Sequence, residues 1–381
     1  MKKTNLSAVI LLASLTLAAC SPDAPKTGDS TTVESTQVQT EASESQAVTE
    51  TAITIATGKD TSTEIPAEGT LVMRQLYTAP HGTKSFAAVN VLMNGDKIVD
   101  ARLDEFQYLA PGDFTGVPNS DGGFGEAFPT DTILASKEQN DAAYSAMMAE
   151  KAGATQTWQQ SITAITDFTK GKTVAELEDT VKALEGLSEG ESPADVISGA
   201  TFTDSLGYLQ SIIDTATEGA VSIGAKTSAT DFKTAQLLGA PHGDKSFAMT
   251  TVALEGDKVA AVFVDEFQYV DAAAFGGVPS SDSDFGQGVA DGLVLASKIA
   301  NDEAYSAMMA EKGGSTNAYA ANMKAIQDFT IGKTIAELEA TIGELDALGE
   351  EGSPADVISG ATFSDSKGYL QAIIDAAKEA K

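Results

Sequence analysis

The chain has 381 residues, a formal charge of −31 and one cysteine. That length holds two ordinary domains, and the acidity excludes nucleic acid as a partner, because phosphate binding needs clustered Lys and Arg. A lone cysteine excludes internal disulfides, a Cys-rich metal site and a Cys-x-x-Cys-His haem attachment, so electrons, if any are carried, do not travel on haem or iron–sulfur.

At the N-terminus, Lys2 and Lys3 precede an apolar run from Leu6 to Leu17 that ends in Leu17-Ala18-Ala19-Cys20. The run is too short to span a bilayer and reads as a secretory leader over residues 1–19. Its ending resembles the bacterial lipobox, which implies that Cys20 carries a diacylglyceryl thioether and becomes the new N-terminus. Two or more acyl chains are enough for stable anchoring. The alternative is an ordinary cleaved leader with an incidental cysteine. Residues 20–69 are rich in Ser, Thr, Glu, Gln and Ala without a helical or strand period, which predicts a disordered tether. Fully stretched it would reach roughly 170 Å, far enough to hold a folded part away from the membrane and within a cell wall.

Beyond the tether the sequence repeats. Ala79-Pro80-His81-Gly82 returns as Ala240-Pro241-His242-Gly243, a shift of 161 residues that is also the separation of Thr201 and Thr362. Two tandem homologous domains are predicted, at 70–222 and 232–381, with a linker at 223–231. In the first, Ser85 to Met93 and Ile98 to Tyr108 read as strands joined at Asn94-Gly95-Asp96-Lys97. Gly-rich loops follow, from Phe114 to Gly125 and, in the second copy, from Phe275 to Gly286. Asn140 to Lys151, closed by Gly153, and Gln156 to Lys170 read as helices. Thr173-Val174-Ala175-Glu176 and Thr334-Ile335-Ala336-Glu337 are capping boxes that open a third helix in each copy. Few strands beside several helices predict an α+β class, each domain a small antiparallel sheet with helices on one side.

Several polar residues carry two readings. His81 and His242 could hydrogen-bond a cofactor or move protons near neutral pH, or merely occupy a Pro-His-Gly turn. Asp104-Glu105 and Asp265-Glu266 could bind a cation, or form a solvated strand end, which is the expectation. Tyr144, Met147 and Met148, with Tyr305, Met308 and Met309, are expected in the core at helical spacing, with a cofactor pocket as the alternative. Trp158 and Tyr319 either pack on a ring or fill the core. The Gly-rich loops could approach a ligand closely but lack the strand–turn–helix context of a dinucleotide fingerprint.

The sharpest feature is Asp195-Val196-Ile197-Ser198-Gly199-Ala200-Thr201, repeated letter for letter from Asp356 through Ser359, Gly360 and Ala361 to Thr362. The small residues would let a ligand approach the backbone, and the threonine sits just before a helix whose free N–H groups and dipole favour an anion such as phosphate. Thr203, Asp204 and Ser205 are all suitable N-caps.

Asp-x-x-Ser-Gly-Ala-Thr resembles the flavinylation motif of the FMN-binding domain family, with likeness to the two-domain FMN lipoproteins of Gram-positive extracellular electron transfer. The resemblance implies that a flavin transferase (FAD:protein FMN transferase) joins the FMN part of FAD to Thr201 and Thr362 as a phosphoester, giving two covalent FMN groups. The site residues it implies are Asp195, Ser198, Gly199, Ala200 and Thr201, with Asp356, Ser359, Gly360, Ala361 and Thr362; His81 and His242 are candidates beside them. It further implies a lipid-anchored electron carrier on the extracytoplasmic face of the cell membrane. Electrons would arrive from a membrane quinol-linked or NADH-linked donor and leave to ferric iron or another extracellular acceptor. No catalytic set for bond-making chemistry is visible, so a carrier is expected before an enzyme. Where many members of the family end the motif in Ser, this chain has Asp204 and Asp365, which place a negative charge near the expected phosphate. The alternative is a non-redox surface lipoprotein that binds a ligand or wall polymer.

Overall fold

The period-two stretch Ser85–Asn94 is buried along all but its last residue, which is possible only for a strand covered on both faces. What covers it is helices on one side and a second sheet on the other. The computed structural model describes residues 69–349 and 352–381; the leader, Cys20 and nearly all of the tether lie outside the described residues.

Strands β1 (Thr70–Thr78), β2 (Ser85–Asn94), β3 (Lys97–Leu109) and β4 (Ile133–Ser136) are followed by helices α1 (Asp141–Ala152), α2 (Trp158–Thr169), α3 (Val174–Glu185) and α4 (Ser205–Glu218), and then by β5 (Ala220–Lys226). The second half repeats the plan. Strands β6 (Lys233–Gly239), β7 (Ser246–Glu255), β8 (Lys258–Asp271) and β9 (Leu293–Ser297) precede α5 (Asp302–Gly313), α6 (Tyr319–Thr330), α7 (Ile335–Asp346) and α8 (Ser366–Glu379). All strand pairs are antiparallel, in the orders β4-β3-β2-β1-β5 and β6-β7-β8-β9. The described residues are thus mixed α+β, with two antiparallel sheets and eight α-helices.

The two expected hairpin strands and the expected helices form within a residue or two of their predicted ends. Gly95 (φ 64°) turns the first hairpin, Gly153 (φ 68°) closes α1 in the left-handed conformation, and Thr173 and Thr334 make both arms of their capping boxes. One boundary changes. Strand β5 pairs with β1 and runs through the expected domain end at 222, so the connection between halves shortens to 227–232.

In β2, Ala87, Val89, Val91 and Met93 pack on Trp158, Ile162, Leu209 and Ile212 of α2 and α4, whereas Phe86 and Ala88 point the other way. There they meet Phe247, Met249 and Phe267 of the second half, so an aromatic core joins the two sheets; Leu71, Met73 and Leu92 also belong to the core of the second half. Phe86 stacks on Phe106 at 5.1 Å and Phe247 on Phe267 at 4.8 Å, and Phe106 lies 5.8 Å from Phe247 across the seam.

The Gly-rich loops, which could have approached a ligand, instead reach across this seam. The Phe124 N–H donates to the Asp244 carbonyl and the Phe285 N–H to the Thr83 carbonyl, both at 2.8 Å. Because 83 and 244, like 124 and 285, are equivalent positions of the repeat, the two halves bind each other as a pseudo-symmetric dimer would. Glycine is required at these loops for room: a Cβ on Gly125 would sit 2.0 Å from the Ser120 carbonyl oxygen.

Candidate functional site

The Ser-Gly-Ala-Thr stretch is built by packing before it is built for a ligand. Ile197 and Ile358 are fully buried and anchor the turn, and the Ala200 and Ala361 N–H groups close it on their carbonyls at 2.9 and 3.0 Å. Gly199 and Gly360 both have φ of 88°, and a Cβ there would lie 3.1 Å from Ala164 and 3.2 Å from Ala325. The small residues therefore let the turn press against α2 and α6, where the sequence suggested room for a ligand. Ala200 and Ala361 are buried, while Ser198, Thr201, Ser359 and Thr362 are exposed. Asp195 and Asp356 spend their carboxylates locally. They accept the Ser192 and Ser353 N–H groups at 2.9 and 3.0 Å, closing capping boxes on short turns.

Each threonine has a buried polar neighbour that sequence reasoning missed. The Thr201 hydroxyl lies 3.0 Å from the Ser161 hydroxyl. At the equivalent place the Asn322 side-chain oxygen accepts from both the Thr362 N–H at 2.6 Å and its hydroxyl at 3.0 Å. Ser161 and Asn322 are fully buried. A polar residue beside the buried aromatic in the first turn of α2 and of α6, Ser161 after Trp158 and Asn322 after Tyr319, was the available signal.

Asp204 and Asp365 occupy the N-cap positions of α4 and α8 but make no capping hydrogen bond. Instead they face the histidines: His81 Nδ1 is 3.2 Å from Asp204, and His242 Nδ1 is 3.5 Å from Asp365. The Pro-His-Gly turns thus sit on the first helical turn after the motif. Gly207 and Gly368 make this possible, since a Cβ would come 2.6 Å from the Pro80 carbonyl oxygen and 2.3 Å from that of Pro241. The histidines are brought to the motif, and the carboxylate added by this chain is partnered.

A cleft of about 580 Å³ opens beside Thr362. Tyr305, Met308 and Met309 of α5 line it together with Tyr319, His242, Lys312, Phe363 and the loop Gly313–Thr316. Tyr305, Met308 and Met309 thus pack in or against the core, as expected, and also form the wall of the cleft, while Tyr144, Met147 and Met148 pack in or against the core of the first half. The inner side of the cleft is Lys298, Tyr319 and Tyr369, each at most 2% exposed. Two lysines and a histidine against one carboxylate make the lining cationic in a chain of charge −31. A larger cleft of about 660 Å³, lined by Asp100, Arg102, Glu138, Lys170 and the inter-half connection, includes neither threonine. The smaller one is the candidate site because the motif opens into it.

Beneath the cleft lies the largest departure from expectation. Asp104-Glu105 and Asp265-Glu266 are not a solvated strand end; all four are at most 1% exposed. Burial of carboxylates demands partners. Glu105 accepts from Ser85 and from Tyr208 at 2.7 Å, with Lys137 Nζ 2.9 Å away. Glu266 accepts from Ser246 and Tyr369, with Lys298 Nζ at 2.8 Å. The ammonium groups contact these carboxylates as buried ion pairs, and neither Nζ has a further geometrically aligned acceptor. The Trp158 indole N–H and the Tyr319 hydroxyl are likewise buried and have no aligned acceptor, although Tyr208 and Tyr369 are near. For Lys137, burial is the largest effect and works against the charged form, but Glu105 and Tyr144 together outweigh it and raise the pKa. Burial, reinforced by Glu105 and Glu266, holds the Tyr208 and Tyr369 hydroxyls well above the usual phenol range. Burial also pushes Asp104 and Asp265 up to about 6, against the pull of the Ser136 and Ser297 hydroxyls that they accept from.

Among the described residues no group of three His, Cys, Asp or Glu could hold a metal, and no helix is long and apolar enough to cross a membrane. Comparison with protein-family models, curated proteins and solved structures found no match.

Proposed function

We propose that this chain is an exported, lipid-anchored electron carrier built of two homologous domains, with FMN joined by phosphoester to Thr201 and Thr362. The single observation that carries the reading is the cleft at Thr362: an acceptor hydroxyl at its mouth, aromatic and thioether walls, and on its inner side the Lys298–Glu266 ion pair and a buried Tyr319 hydroxyl without an aligned acceptor. A phosphorylated aromatic ring system is what such a lining suits.

The protein's own part follows from the residues. Asn322 holds the Thr362 hydroxyl in a fixed direction, as Ser161 is placed to do for Thr201. The first-turn N–H groups of α4 and α8, with the helix dipole, favour the phosphate. His81 and His242 place Nδ1 3.2 and 3.5 Å from Asp204 and Asp365, so each carboxylate near the phosphate has a polar neighbour. Attachment from FAD forms the Thr Oγ–P bond, breaks the pyrophosphate and releases AMP, with the hydroxyl proton lost to solvent. When bound, the flavin supplies one- and two-electron redox chemistry. Attachment by covalent bond fits export, since a dissociated cofactor would diffuse from the cell surface. The donor in this reading is quinol-linked or NADH-linked, and the acceptor is ferric iron or another extracellular oxidant.

Intact mass of native material tests the proposal. Two FMN phosphoester increments are expected in the wild type, one in Thr201→Ala or Thr362→Ala, and none in the double variant, which should also lose flavin colour after denaturation. Covalent flavin surviving in the double variant would disprove the attachment sites. Wild-type protein with no added mass would leave the non-redox reading.

A further inference from the structure

Lys298 is the least expected charge in the second half. It is 2% exposed, yet it lines the cleft, and beyond the Glu266 carboxylate its Nζ has no aligned acceptor. Nζ lies 4.8 Å from the Tyr305 ring centre and 5.6 Å from that of Tyr319, the two rings that line the cleft beside it. Glu266 is its only charged partner, at 2.8 Å, and that carboxylate is already occupied by Ser246 and Tyr369. Burying an ion pair in this way is seldom the cheapest route to stability, because well-packed apolar side chains of the same volume often serve as well or better. A charge kept there is better explained by something that it faces.

We propose that Lys298 is a positioning residue that sets the reduction potential of the ring system bound at Thr362. The inference rests on the flavin reading above. Adding two electrons and one proton to the oxidised ring leaves it with one more negative charge than before; the electrons come from the quinol-linked or NADH-linked donor, and the proton from solvent. A fixed ammonium behind aromatic walls, screened from water, favours that more negative form over the oxidised one. Glu266, beside Lys298, works against it. The pair therefore holds two levers of opposite sign: loss of Lys298 makes reduction harder, and loss of the Glu266 charge makes it easier.

The test uses Thr201→Ala protein, so that only Thr362 carries flavin, with loading confirmed by intact mass. The midpoint potential is then read by equilibration with redox dyes. Lys298→Met should lower the reduction equilibrium constant at least tenfold, which is about 30 mV for a two-electron couple. Glu266→Gln should shift it in the opposite direction. If Lys298→Met alone does not fold, because Glu266 is left uncompensated, Glu266→Gln is compared with Glu266→Gln/Lys298→Met. These two differ only in the lysine, and the double variant should have the lower potential. A merely structural lysine would move stability and leave the potential where it was. Flavinylated variants with unchanged midpoints, or with both shifts in the same direction, overturn the inference while leaving the attachment intact. Parent protein without flavin overturns the underlying reading, and this one with it.

Discussion

Asp265 shows how much one buried carboxyl can change. Burial raises it from an ordinary value near 3.8 to about 6, although Ser297, Tyr77 and the Ile299 and Glu266 N–H groups all donate to it. A carboxyl with a raised folded-state pKa binds its proton more tightly in the native protein. Its stabilising contribution is complete below about pH 4 and is lost as pH rises through about 6. The size is about 3 kcal/mol at most for the shift of roughly two units. Asp104 behaves alike. Burial also pushes Glu138 up to about 7, so three carboxyls contribute; the wild type should gain stability between pH 7 and pH 4.5, and Asp265→Asn should lose about a third of that gain. Urea unfolding at both pH values measures it; an identical gain in wild type and variant would show that Asp265 does not titrate in this window. None of this was legible in the sequence. Asp-Glu at a strand end ordinarily faces water, and the lysines that compensate the glutamates stand 32 residues further along the chain, at Lys137 and Lys298. What the sequence did show was the motif itself, because its threonines and its helix are local features.

At the scale of elements, two glycines on helices make opposite predictions. Ala is favoured over Gly in a helix interior by about 1 kcal/mol. Gly343, in α7, has nothing near its missing Cβ, so Gly343→Ala should stabilise by up to about that amount. Gly368, in α8, would push a Cβ to 2.3 Å from the Pro241 carbonyl oxygen, which is backbone and cannot swing aside. Overpacking of this kind costs about 1–3 kcal/mol and outweighs the propensity gain, so Gly368→Ala should destabilise and displace the His242 turn. Thermal unfolding of the two variants should give shifts of opposite sign; an equal rise in both would mean that the turn does not rest on the helix. The helices were legible for local reasons: capping boxes, closing glycines and apolar periodicity lie within each segment. Strands β1 and β4 were not. β4 has only four residues, and β1 is interrupted by Arg74 and Gln75, whose burial depends on partners elsewhere. Arg74 donates to the Thr217 and Gly219 carbonyls at 3.0 and 3.3 Å, beyond any local window.

For the whole molecule, the repeat spoke of two domains and gave no hint that their sheets share a core. The reason is physical. Phe86, Phe106, Phe247 and Phe267 alternate with residues that face the helices, so a strand buried on both sides reads as uniformly apolar and does not declare what covers it. The shared core has a thermodynamic consequence. If the halves had separate cores, the chain could unfold in two steps; with Phe267 touching Tyr77, Phe86, Phe106 and Phe247, loss of either half strips the other of its aromatic cover. A single calorimetric transition is expected for the wild type, with calorimetric and van't Hoff enthalpies in agreement. Phe267→Ala, at the centre, should cost about 3–5 kcal/mol. Its effect should fall on the coupling as well as the total, broadening the transition or splitting it in two, because the seam is lost while the helix-facing cores of both sheets remain. An exposed control on the helix side, Lys182→Ala, touches only Asp179 and should leave a single transition. Two resolved transitions already in the wild type would mean that the seam does not bind the halves strongly enough to make them one folding unit. A single sharp transition in Phe267→Ala would place the coupling in the remaining shared contacts, Leu71, Met73 and Leu92 in the core of the second half and the loop bonds at Asp244 and Thr83.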